Sequence, residues 1–180
     1  MRRIIQKFLP RHEAINNNRW LAPFKASLLH PRLWHINRHS AAGAAAAGLF
    51  CGLIPGPLQM LGAAVCALIF RVNLPLAMLT TFYTNPLTIV PLYLVAFAIG
   101  HAVLGNGDGH FVAPPEMNGL SLPEWLHAMA DWMAGLGAPL ALGLLMLASG
   151  LALTGYICVK VAWRIWLIRT WRQRHPRAPA

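Results

Sequence analysis

The chain has 180 residues, 57% of them apolar and only 11% charged, whereas a water-soluble domain carries roughly 25% charged residues. Its net charge of +10 would suit nucleic acid in a soluble protein, but the charges sit at the ends. Residues 1–40 hold eight basic residues against one acid, residues 160–180 hold six against none, and residues 41–159 have only Arg71 against four acids; this pattern argues against nucleic acid as a partner and for an integral membrane protein.

A cleaved leader needs an apolar run directly behind its basic start. Here Asn16, Asn17, Asn18, Arg19 and Lys25 follow Arg2, Arg3, Lys7 and Arg11, so the start is expected to stay, on the cytoplasmic side. Pro10, Pro23 and Pro31 divide residues 1–40 into short surface-lying helices. Their apolar faces, Ile4, Ile5, Phe8 and Leu9 and then Trp20, Leu21, Phe24, Leu28 and Leu29, suit the headgroup layer. Anionic lipid headgroups would stabilise each cation by about 1 kcal/mol; setting the orientation is the simpler role for them.

Residues 41–54 and 58–70 are uncharged runs of about 20 Å each as helix, short of the roughly 30 Å hydrocarbon core. Pro55-Gly56-Pro57 between them withholds backbone donors and permits a sharp reversal. The spacing predicts a re-entrant helical hairpin over 41–70. Ala44, Gly48, Gly52 and Gly56 form a small-residue stripe expected to pack on Gly62, Ala63, Cys66 and Ala67 of the second arm. A backbone turn in lipid cannot stay unpaired, so something must cover the tip; a second copy of the chain, most simply a two-fold dimer, is the expected cover.

Residues 74–104 read as a broken helix, interrupted at Thr84-Asn85-Pro86, with a spanning part at 87–104 that Pro91 can kink. Residues 105–137 carry Asp108, Glu116, Glu124 and Asp131 and are expected as an extracytoplasmic loop holding an interfacial helix at 122–133. Residues 138–159 give the clearest transmembrane helix, followed by a basic cytoplasmic tail at 160–180. Two basic cytoplasmic ends require an even number of crossings, which the hairpin plus two transmembrane helices satisfies; two short crossings over 41–70 would preserve parity as well, but the arm lengths argue against them. All seven tryptophans (20, 34, 125, 132, 163, 166 and 171) fall near the ends of the apolar segments. The expectation is an all-α integral membrane protein with interfacial helices at its ends.

Trp34-His35, Asn37-Arg38, Gly48-Leu49-Phe50, Pro55 and Pro57 before Gln59-Met60, Arg71-Val72-Asn73-Leu74-Pro75, and Thr84-Asn85-Pro86-Leu87-Thr88 with Pro91 and Tyr93 follow one another in order. This string resembles the DUF2062 family of small proteobacterial membrane proteins. The resemblance implies a bacterial inner-membrane location and no particular activity. Phe82 stands where a tryptophan is expected in relatives.

Catalytic groups are sparse. No carboxylate lies within 41–104, so paired-acid chemistry has no members there, and neither Ser40 nor Ser149 has an acid near in sequence to orient a base. Cys51, Cys66 and Cys158 lack metal or redox spacing and read as free thiols. His35 and His39 could share a helical face, but no third ligand is near in sequence, so no metal or other cofactor is expected. Polar groups in apolar segments need partners or water. Gln59, Arg71, Asn73, Thr84 and Asn85 are therefore the candidate substrate-binding set, with Pro55, Gly56, Pro57 and Pro86 as the structural breaks. Two roles compete. The first is transport of a small polar or anionic solute or a lipid headgroup at the breaks; the second is a non-enzymatic membrane adaptor or scaffold whose basic ends dock a partner or anionic lipid.

Overall fold

A computed structural model describes residues 33–85, 87–104, 111–115 and 119–174. Pro86, Asp108, Glu116 and the surface helices expected before residue 33 lie outside the described residues. The described residues are mostly helical, with no strand among them.

Helix α1 spans Arg38–Cys51 and begins where Asn37 Oδ1 accepts hydrogen bonds from His39 N and Ser40 N at 3.0 and 2.9 Å. After the turn at Pro55-Gly56-Pro57 comes α2, Leu58–Phe70. Helix α3, Leu74–Thr80, starts on the Asn73 side chain and passes into a 3₁₀ turn at Thr81–Tyr83. Helix α4, Ile89–Leu104, begins two residues later than expected, because Asn85 and Thr88 build its cap. Helix α5, Leu122–Arg174, is interrupted at Gly137, whose φ of 62° and ψ of −152° are not helical. Its second part contains the expected 138–159 helix and runs on without a break, so the expected basic tail is helical as far as Arg174.

The two helical arms pack on each other, but their faces differ from the expected stripe. Ala44, Ala47 and Cys51 of α1 pack on Ala63 and Ala67 of α2, and Gly62 lies against Cys51 and Ile54. Gly48 and Gly52 face elsewhere. A side chain at Gly48 would meet Thr80 and Ala77, and one at Gly52 would meet Tyr83. The reason is angular: at 100° per residue, positions 44, 47 and 51 share one side of a helix while 48 and 52 turn toward the next. The small residues thus admit α3 and the 3₁₀ turn rather than the second arm.

Helix α4 packs on α5 where Gly100 touches the Pro139 carbonyl and Gly143 touches that of Ala96. Tyr93 and Leu53 share a cluster with Ala148, Leu49 reaches Gly155, and Arg38 lines one pocket with Lys160 and Arg164. Read along α5, these contacts place the hairpin turn near the middle of residues 138–159 and the start of α1 at their basic end.

At Gly137 the chain doubles back. A straight helix would hold Trp125 and Ala148 about 34 Å apart. Instead Trp125 lies on Gly56, where its ring would be 2.6 Å from an added Cβ, and Ala148 clusters with Leu53, three residues before Gly56. Residues 111–115 descend beside the first part of α5: Trp132 Nε1 donates to Val112 O at 2.9 Å and Trp125 Nε1 to Pro115 O at 3.2 Å. Of the stretch expected as an outer loop, the described residues 111–115 and 119–136 are folded back on the helices, held by Phe97, Phe111, Trp132 and Tyr93 ring contacts.

One helical stretch among the described residues, within Leu122–Trp171, is long and apolar enough to cross a membrane; α2, residues 74–83 and α4 are apolar but shorter.

Candidate functional site

The break after α1 leaves backbone carbonyls without helical partners, and three hydroxyls answer them. Tyr83 donates to Leu49 O at 2.8 Å, Thr84 to Gly52 O at 2.6 Å and Tyr93 to Leu53 O at 2.8 Å. All three come from the segment that follows the hairpin. Tyr93 is fully buried and stacks on Trp132, with ring centroids 5.6 Å apart.

Gln59 joins this clasp. The Thr84 hydroxyl has one proton yet lies 2.6 Å from Gly52 O, 2.6 Å from the Gln59 amide and 3.0 Å from Thr81 O. It can donate only once, so the arrangement is satisfied when Gln59 presents its NH2 to the Thr84 oxygen. Of the candidate set, only Gln59 and Thr84 are brought into direct contact.

Asn85 is nearby but occupied: its Oδ1 accepts from Leu87 N at 2.9 Å and Thr88 N at 3.1 Å, which starts α4. Asn73 and Arg71 lie at the far end of α2, about 18 Å along the helix from Gln59. Asn73 is buried and accepts from Leu76 N at 2.9 Å. Arg71 is exposed and closes α2 in the left-handed conformation, φ 52°. Pro55 and Gly56 are half-buried under Trp125, while Pro57 and Leu58 are exposed. The turn is thus covered in part by its own chain.

Beside the turn, the first part of α5 is two-faced. Trp125 and Met129 are buried, whereas Ser121, Glu124, His127 and Asp131 are exposed. Ser121 N and Oγ both donate to Glu124 Oε2, at 2.9 and 2.6 Å, a capping box that holds the Glu124 carboxyl below the usual carboxylate range. No buried side-chain nitrogen or oxygen among the described residues lacks a partner. The tyrosines were missed in the sequence, where they count among the aromatics of apolar runs. The available signal was that two of the chain's three tyrosines flank the Thr84-Asn85 break.

The model of DUF2062, a family described as an uncharacterized protein conserved in bacteria, matches residues 21–172. No curated protein and no solved structure matches the chain.

Proposed function

The chain belongs to the DUF2062 family, and from that premise and the geometry above we propose an inner-membrane protein of the transport class, with both ends cytoplasmic. It handles a small polar or anionic solute, or a lipid headgroup, where a re-entrant hairpin at 41–70 meets the folded-back residues 111–115 and 119–136. The exposed apolar side chains suit a lipid setting: Leu61 and Ile69 on the outer face of α2 are 62% and 67% exposed, and Leu153 on α5 is 63% exposed.

The observation that carries this reading is the place of Ser121, Glu124, His127 and Asp131. They are exposed on the helix whose Trp125 lies on Gly56 of the hairpin turn, and Trp132, next to Asp131, packs on the cluster that holds Ala148 of the helix proposed to span. Lipid tails cannot solvate a carboxylate there, so the space they face is hydrated. Cysteines placed singly at Pro57 and Leu58, in a chain freed of its native thiols, should react with a membrane-impermeant maleimide in vesicles. Unreactive thiols at both positions would remove the hydrated space and the transport reading with it. Flux in liposomes should fall with Gln59→Ala; Arg71→Ala, at the far end of α2, should change it less.

A second reading is favoured by the clasp itself. Because Gln59, Thr84, Tyr83 and Tyr93 are engaged in holding the break, the membrane part could serve as a rigid scaffold whose basic ends dock a partner. In that case removal of residues 1–30 abolishes function in cells, while Gln59→Ala is silent. Neither reading assigns catalysis. A two-fold dimer remains the proposed assembly.

A further inference from the structure

The start of α1 and the basic end of α5 border an open surface pocket of about 260 Å³ lined by Arg38, His39, Lys160, Val161 and Arg164. Residues more than 120 positions apart in sequence are brought together there, and three of the five side chains are cations. No acid lies in the first turn of α1, and the described carboxylates, Glu124 and Asp131, belong to the folded-back segment. The helix terminus adds its own partial positive charge. Arg38 Nε donates to His39 Nε2 at 3.1 Å, and Lys160 Nζ rests over the Tyr156 ring at 4.4 Å; neither contact neutralises charge. Like charges gathered in this way call for an anion.

The setting selects which anion. Lys160 directly follows the uncharged run 138–159, so the pocket stands where the apolar part of α5 ends. Val161 in its wall belongs to a stripe with Ile157 and Ile165, each about half exposed, which offers apolar surface beside the cations. Trp163 and Trp166, ring centroids 6.0 Å apart, mark the same level. We infer that this pocket holds the phosphate of an anionic phospholipid, its two guanidinium groups and one ammonium taking the phosphate oxygens and the apolar stripe taking an acyl chain. The inference needs α5 to meet the bilayer and does not depend on the transport reading.

The test uses the full chain in detergent, titrated with phosphatidylglycerol, phosphatidylcholine or inorganic phosphate, with bound lipid counted by native mass spectrometry. Phosphatidylglycerol should bind in preference to phosphatidylcholine. Each cation near an anionic surface is worth about fivefold in affinity, so Arg38→Gln with Arg164→Gln should weaken the anionic lipid by about tenfold or more and leave phosphatidylcholine unchanged. Equal binding of the two lipids by the wild-type chain overturns the inference, as does undiminished phosphatidylglycerol binding by the double variant. Competition by millimolar inorganic phosphate with no lipid preference would assign the pocket to a free anion and overturn the lipid. If the double variant does not fold, the wild-type lipid comparison and the single Lys160→Gln variant decide by the same criteria. Unchanged flux in liposomes with lost lipid preference would separate this site from the hairpin turn.

Discussion

At the scale of single residues, the hydroxyls of Tyr83, Thr84 and Tyr93 carry the hairpin. Removing one leaves a carbonyl that was hydrogen-bonded in a dry setting without a donor, at a cost of about 1–3 kcal/mol. Tyr93→Phe, which keeps the ring stacked on Trp132, should therefore lower the thermal midpoint in detergent clearly more than Tyr156→Phe, a substitution away from the clasp. Thr84→Val should behave like Tyr93→Phe and also free the Gln59 amide. Glu124 supplies a pH test. Its carboxyl is depressed by the Ser121 hydroxyl and N–H, so the cap's contribution is complete above the ordinary glutamate range and is lost as pH falls through the lower folded value. Unfolding midpoints of wild type and Glu124→Gln should differ at neutral pH and converge in acid; a gap that persists in acid would count against the cap. Gln59 and Thr84 were legible as polar residues stranded in apolar runs. Their mutual contact was not, since 25 residues separate them. The separation of Arg71 from Gln59 could have been read from the 13-residue helix between them.

At the scale of elements, proline and glycine positions disclosed where helices stop but not which way the chain then goes. The reversal at Pro55-Gly56-Pro57 was readable because both arms are short. The reversal at Gly137 was hidden: Gly135, Gly137 and Pro139 lie in one apolar passage, and only Gly137 takes a conformation that side-chain-bearing residues avoid. Gly137→Ala should cost about 1–3 kcal/mol of strain and expose Trp125 and Trp132 to aqueous quenchers. Gly135→Ala, with open space around it, should be neutral or stabilise by up to about 1 kcal/mol. The hairpin arms offer a geometric check. Cys51 and Cys66 Sγ atoms are 3.6 Å apart, so a membrane-permeant oxidant should join them and abolish maleimide labelling at both in the denatured chain. Survival of both free thiols would mean that the arms do not pack in this register.

At the scale of the whole molecule, charge segregation and apolar content were plain from composition, and with them the helical class. What each segment folds against was not, because hydropathy records only how apolar it is; of residues 105–137, read as an outer loop, the described parts carry Trp125 and Trp132, which pack on the hairpin turn and on Tyr93 of α4. The clasp also bears on biogenesis. During synthesis the carbonyls of Leu49, Gly52 and Leu53 emerge well before the hydroxyls that satisfy them, the last on a helix 40 residues later. In the membrane setting proposed above, the first hairpin does not settle alone in an oily surrounding; it waits at the aqueous mouth of the insertion machinery and enters together with its successor, as one cooperative body.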